Sequence, residues 1–199
     1  KQLTVRNLET GETFADRYDR LILATGAVAS VPPIRGADAP HVFTLRNIGD
    51  MLRIKAYCDE RRPRTAAVIG TGFIGLEMCE NLETLGIRVT LLEKLAQVAP
   101  GLDADMAAHV EAYLAKNGVP VLTGVTVESI AETGVALADS RTIEADMVLV
   151  SAGVRPNTAL AAAAGVELGV SGAIRVDAAM RTSVPDVYAC GDCAEQFHA

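Results

Sequence analysis

The sequence has no apolar run approaching the roughly 18 to 20 residues that a membrane-spanning helix needs, and its first residues, KQLTVRNLET, hold no hydrophobic signal-peptide core. Neither a membrane partner nor export is expected from them. Basic clusters are nearly missing: Lys and Arg are scattered singly apart from RRPR at 61 to 64, and the formal net charge is -7. That balance argues against a nucleic-acid or anionic-membrane surface. Cysteine is scarce for a secreted scaffold. The four present (Cys58, Cys79, Cys190, Cys193) point to a reducing compartment, and the cytoplasm is the expected location. Repeats and low-complexity segments are lacking. So is an initiator Met, and because the chain starts in what reads as the middle of a hairpin, an excised piece of a longer protein is expected.

What is present suits a packed core. The chain has 199 residues, half of them hydrophobic, enough for one globular domain or two small ones. LTVRN and ETF alternate around a turn centred on Gly11 and read as a β-hairpin. RLILATG, 20 to 26, reads as a strand buried on both faces. Pro32 and Pro33 suit a connection between domains. A helix is predicted from about Asn47 to Glu60, with Ile48, Met51, Leu52 and Tyr57 on one side.

From Thr65 strand and helix alternate. TAAVIG and RVTLLE are buried strands on either side of a helix, GFIGLEMCENLETLG, whose Ile74, Met78, Leu82 and Leu85 share a face and which stops at Gly86. This is one right-handed βαβ unit. A further helix, capped by Asp103, carries Met106, Val110, Tyr113 and Leu114 inward. VPVLTG, VTVESI, GVALA and RTIEA read as an antiparallel meander, DMVLVSAG as another buried strand, and TALAAAAG as a plain helix.

VIGTGFIG places Gly70, Gly72 and Gly75 in G-x-G-x-x-G between strand and helix. Gly70 permits the tight turn, Gly72 lets backbone approach a pyrophosphate, and Gly75 lets helix and strand pack closely, while the helix N-terminus offers N–H groups to phosphates. Glu93 ends the next strand at about the 20-residue offset of the carboxylate that binds adenosine ribose hydroxyls. An acidic residue there favours NADH over NADPH; Lys94 and Arg88 nearby leave NADPH open.

Two further segments, YDRLILATGAVASVPPIRGAD and GAIRVDAAMRTSVPDVYACGDCAE, flank G-x-G-x-x-G-x-E and SAGVRPNTAL. Together they resemble, over essentially the whole chain, the FAD-dependent pyridine nucleotide-disulfide oxidoreductases. NLETGETF, FTLRNIGDM and GVRPNT are most similar to NADH oxidases and CoA-disulfide reductases, including those fused to rhodanese domains. The resemblance implies an α/β fold: a Rossmann-like three-layer NAD(P)-binding domain over 41–155, parallel sheet plus antiparallel β-meander, flanked by remnants of an FAD-binding domain at 1–40 and 156–199. It also assigns roles. Gly70, Thr71, Gly72 and Gly75 match the nucleotide fingerprint and Glu93 the ribose carboxylate. Phe73 (an aromatic gate), Ile74, Glu77 and Gly153 match the nicotinamide pocket. Thr25 and Gly26 match the FAD-side turn, Arg46 a contact to the flavin diphosphate, and Gly191, Asp192 and Ala194 the flavin signature, with Ala194 opening a helix toward the pyrophosphate.

The family's own first G-x-G-x-x-G, its redox cysteine and its C-terminal dimerisation domain have no counterpart in this sequence. By itself the chain is therefore expected to bind NAD(H), with NADP(H) open, far better than FAD, and to reduce no disulfide; the rest of the FAD domain and the dimerisation domain would be its partners. The implied parent passes hydride from NADH to FAD and on to a disulfide, oxygen or polysulfide. A ferredoxin- or nitrite-reductase-type domain and a non-catalytic NADH sensor remain as alternatives. Cys190-Gly191-Asp192-Cys193 has dithiol spacing, yet its Gly-Asp is accounted for by the flavin signature, so both cysteines read as small buried residues.

Overall fold

The computed structural model describes residues 1–196, so the last three residues of the 156–199 segment lie outside the described ones. In chain order the elements begin with strands β1 (Gln2–Arg6), β2 (Thr13–Arg17), β3 (Leu21–Leu23), β4 (Ala27–Ala29) and β5 (Val42–Phe43). There follow α1 (Ile48–Arg61), β6 (Thr65–Ile69), α2 (Phe73–Thr84), β7 (Arg88–Leu92), α3 (Ala104–Lys116) and β8 (Val121–Leu122). Then come β9 (Val127–Ala131), β10 (Gly134–Leu137), β11 (Thr142–Glu144), β12 (Met147–Val150) and β13 (Val154–Pro156). The chain ends with α4 (Ala159–Ala163), β14 (Ile174–Arg175), β15 (Val187–Ala189), a 3₁₀ turn (Gly191–Cys193) and β16 (Ala194–Glu195). They form two compact units, Lys1–Val28 with Arg155–Ala199, and Ala29–Val154.

The second unit is built on a parallel sheet of order β5-β12-β6-β7-β8. Its middle strands β12 and β6 are almost wholly apolar and buried, because both faces of the sheet are covered. Strand period two then sorts the side chains. Ala66, Val68, Leu91, Met147 and Leu149 join Ile54, Cys79, Leu82 and Leu114 on the helix side. Ala67, Ile69, Leu92, Val148 and Val150 join Val125, Ile130, Val135 and Leu137 under the meander β11-β10-β9. The result is the expected three layers. β6, α2 and β7 make the βαβ unit, and α2 ends in a Schellman motif: Gly86 at φ +80 donates its N–H to the Glu83 carbonyl, and Ile87 donates to Leu82.

VPVLTG is not part of the meander: β8 follows a helix and lies parallel to β7 at the sheet edge, as a crossover connection requires. In α1 the buried residue is Ile54, with Tyr57 and Cys58 packed behind it, whereas Ile48, Met51 and Leu52 are exposed. In α3 Met106 and Tyr113 are exposed and Ala107, Val110 and Leu114 face the core; Asp103 is the N-cap residue without a side-chain cap bond. In α2 Leu82 and Cys79 are buried, while Ile74 and Leu85 are exposed.

The first unit contains the β1–β2 hairpin in register Arg6↔Thr13, and the parallel pairs β3–β15 and β14–β16. Leu23, Val166, Ile174, Val187 and Cys193 form its small core. β3 is three residues long and Ile22 is 65% exposed, so RLILATG is not buried on both faces.

Candidate functional site

The site lies in the second unit, where β6, β7 and β12 reach their C-terminal ends, the position at which open α/β sheets bind ligands. β6 runs into Gly70 at φ +100; a Cβ there would lie 2.5 Å from the Ser151 carbonyl oxygen. Gly75, buried in the first turn of α2, leaves even less room, with a Cβ only 2.1 Å from the Gly70 carbonyl oxygen. Both glycines are required by protein packing. Gly72, the N-cap of α2, differs: it has φ -69, no side-chain cap bond, and open space within 4 Å of an added Cβ. Nothing in the protein requires a glycine there; what that glycine leaves clear is the approach to the uncapped N–H groups of a 12-residue helix.

Two side chains hold this loop in place. Ser151, at the end of β12, donates its hydroxyl to the carbonyls of Gly70 (2.8 Å) and Ile69 (3.1 Å). Glu93, only 6% exposed, accepts from Thr71 twice at Oε2, the backbone N–H at 2.9 Å and the hydroxyl at 2.8 Å, and from the Leu95 N–H at Oε1, 2.8 Å. Thr71 is fully buried. The end of β7 is thereby tied to the loop after β6. The only local signal for Ser151 in the sequence is a polar residue directly after the wholly apolar strand β12.

Beside the loop opens a cleft of about 630 Å³, walled by apolar residues such as Pro32, Leu45 and Val150. Gly70, Thr71, Gly72, Phe73, Ile74, Glu93 and Gly153 all line it, Phe73 at its mouth with 73% exposure. Gly153, at φ +90, faces open space and its carbonyl accepts from the Ser30 N–H at 2.9 Å. Among the lining residues only Glu93 and Lys94 are charged. Glu77 lies off this cleft, on the exposed side of α2 beside a groove toward α3. Arg46, also in this unit, precedes α1 and donates its N–H to Asp50 at 2.9 Å.

The other expected residues belong to the first unit. Thr25 donates its hydroxyl to the Asn157 carbonyl at 2.6 Å, and Gly26, at φ +66, accepts from the Asn157 N–H at 2.9 Å. Gly191, at φ +75, and Asp192 lie on an exposed 3₁₀ turn. Ala194 does not open a helix: it follows that turn in extended conformation and begins β16. All four cysteines are free. Burial pushes the Cys79 thiol up to about 11. Among the described residues no group of His, Cys, Asp or Glu could hold a metal ion, and no helix is long and apolar enough to cross a membrane.

The pyridine nucleotide-disulphide oxidoreductase family model matches residues 1–199. An NADH oxidase of Methanocaldococcus jannaschii is 42% identical over 189 residues, covering 93% of this chain and 42% of that protein. The structure of reduced CoADR-RHD from Bacillus anthracis shares 45% identity and a TM-score of 0.94 over 98% of this chain and 35% of that one. A water-forming NADH oxidase of Lactobacillus brevis bound to NADH (33%, TM-score 0.87) and its engineered NADPH oxidase form bound to NADPH (32%, 0.86) each match 98% of this chain and 43% of theirs. The chain thus spans less than half the length of each of these relatives.

Proposed function

The chain belongs to the pyridine nucleotide-disulphide oxidoreductase family, and from that premise we propose that residues 29–154 form the nicotinamide dinucleotide site of a flavin-dependent oxidoreductase. Residues 1–28 and 155–199 are, in this reading, parts of its FAD-binding domain. The whole protein passes hydride from NADH to FAD and electrons onward to a disulfide or a related acceptor such as CoA disulfide, oxygen or polysulfide. Partner segments supplying the rest of the FAD domain and a dimer interface, and a reducing cytoplasmic setting, belong to the same proposal.

The observation that carries the reading is the division of labour among the glycines. Gly70 and Gly75 are enforced by contacts under 3 Å, whereas Gly72 keeps open the space in front of the helix N-terminus. A pyrophosphate fits there, held by N–H groups and the positive end of the α2 dipole. A bound reduced nicotinamide supplies the hydride. The residues of this chain orient it: the apolar cleft walls exclude water, and the exposed Phe73 ring stands at the mouth.

The adenosine end is supported by a second correspondence. The five substitutions that make the NADPH-bound engineered relative replace a glycine, an aspartate, the two residues after it, and a proline. Their spacing is that of Gly75, Glu93, Lys94, Leu95 and Pro100 here. The stretch Glu93–Pro100 is therefore read as the ribose-facing segment, and Lys94 stands where that relative gains an arginine.

Titration with NADH, followed by calorimetry, tests the reading. Gly72→Val is expected to cost at most about 1 kcal/mol of stability, the range of an unfavourable N-cap residue, and to weaken NADH binding at least about tenfold. Gly70→Ala is expected instead to destabilise the fold by about 1–3 kcal/mol, through its left-handed backbone and the Ser151 contact. Unchanged NADH affinity in a folded Gly72→Val protein would overturn the assignment of the loop.

A further inference from the structure

If the N-terminus of α2 holds a pyrophosphate, the backbone in front of it must keep one conformation, because the donors there are N–H groups whose direction follows the peptide planes. Glycine works against that. Gly70, at φ +100, and Gly72, with open space where a Cβ would be, bracket a stretch whose peptide planes turn at low steric cost. The Gly70–Thr71 peptide unit between them is nevertheless held at both ends. Its N–H donates to Glu93 at 2.9 Å, and its carbonyl accepts the Ser151 hydroxyl at 2.8 Å. A hydroxyl has one proton to give. The other carbonyl within reach, that of Ile69, is farther away at 3.1 Å and already accepts the Ser151 N–H at 2.8 Å, so the hydroxyl proton goes to Gly70.

The same contact reaches the third glycine of the fingerprint. A Cβ on Gly75 would lie 2.1 Å from the Gly70 carbonyl oxygen and 2.7 Å from Ser151 Oγ. The hydroxyl therefore sits against both the start of the loop and the first turn of α2. We propose that Ser151 is a positioning residue for the pyrophosphate: its hydroxyl fixes the Gly70–Thr71 peptide plane from the β12 side, so that the N–H groups opening α2 are aligned before a dinucleotide arrives. Without it the plane is held at its N–H end alone and is free to rock. The affinity that the hydroxyl contributes is then the cost of ordering the loop, which falls on any ligand that uses the loop. A ligand without phosphates does not depend on it.

This role rests on the dinucleotide reading, and one set of titrations separates the two. Ser151→Ala removes a single oxygen and leaves the backbone bonds at the end of β12 in place. NADH, and ADP-ribose, which carries the same pyrophosphate without a nicotinamide, are both expected to bind the variant about three- to tenfold more weakly in calorimetry, the range of one lost hydrogen bond. Adenosine, titrated as a competitor of NADH, is expected to change by less than about twofold. Amide hydrogen exchange gives a reading without ligand: in Ser151→Ala, protection at the Thr71 N–H is expected to fall by more than it does at the amides of β6 and β7.

Four outcomes overturn the inference while leaving the dinucleotide site intact. They are unchanged NADH and ADP-ribose affinities in Ser151→Ala, a loss for adenosine as large as that for ADP-ribose, a uniform loss of protection across β6, β7 and the loop, and a Ser151→Ala protein that does not fold. Each would make Ser151 a general contact of the sheet. If wild-type protein binds neither NADH nor ADP-ribose, it is the underlying reading of the site that fails.

Discussion

Cys193 has no solvent exposure, and its thiol donates to the carbonyls of Cys190 (3.3 Å) and Leu23 (3.5 Å). A thiol placed in this way is a small core residue with two weak hydrogen bonds. Cys190 is half-buried just after β15, and its N–H donates to the Leu23 carbonyl. The Cys-x-x-Cys spacing is therefore produced by a strand end and a tight turn, in which Gly191 supplies the positive φ and Asp192 the exposed polar group. Burial also raises the Cys58 and Cys79 thiols, Cys79 to about 11, so neither carries much thiolate at neutral pH. With a maleimide gel-shift reagent, native protein is expected to label slowly at Cys79 and Cys193 and fully only after unfolding. Treatment with a mild oxidant is expected to remove no reactive thiol. Rapid formation of a 190–193 disulfide would reverse this reading.

Among the elements, helix α1 shows what a sequence pattern leaves undetermined. Its ends are local and legible: Asn47 and Asp50 form a reciprocal capping box, and the helix stops at the left-handed Arg62. Its buried face is not local. Two apolar stripes compete, Ile48-Met51-Leu52 and Ile54-Tyr57-Cys58, and the second wins because it meets Phe43 and the sheet. Ile54→Ala is accordingly expected to cost about 2–4 kcal/mol in denaturant unfolding, as a buried aliphatic truncation does, and Leu52→Ala, at an exposed position, less than about 0.5 kcal/mol. Equal costs for the two would mean that the helix is rotated. The same distinction separates the legible part of the site from the rest. Gly70, Gly72, Gly75 and Glu93 follow from short-range turn chemistry and strand ends. The Ser151 lock, the Thr71–Glu93 clamp and the parallel placement of β8 depend on residues brought together across the sheet, and no spacing in the sequence encodes those distances.

At the scale of the whole chain, the two units differ in what they offer a dinucleotide. The second has a 12-residue helix whose open N-terminus follows a glycine loop. In the first, the longest helix among the described residues is Ala159–Ala163, five residues, and the Gly191–Asp192 turn leads into the extended Ala194–Glu195. A helix that short has little dipole to offer a second pyrophosphate, and no other G-x-G-x-x-G occurs in the 199 residues. The Thr25 hydroxyl, moreover, is already donated to the Asn157 carbonyl. Flavin recognition by this chain would thus fall to a few exposed loop groups, whereas a nicotinamide dinucleotide meets a built loop and a walled cleft. The 199-residue chain is therefore expected to purify colourless and, after incubation with FAD, to emerge from gel filtration without visible flavin absorbance, while still binding NADH in the same buffer. Retention of stoichiometric flavin would show that the first unit holds the cofactor without a helix terminus of its own, and would move the flavin's anchoring from phosphate recognition to the Thr25–Gly26 and Gly191–Asp192 turns.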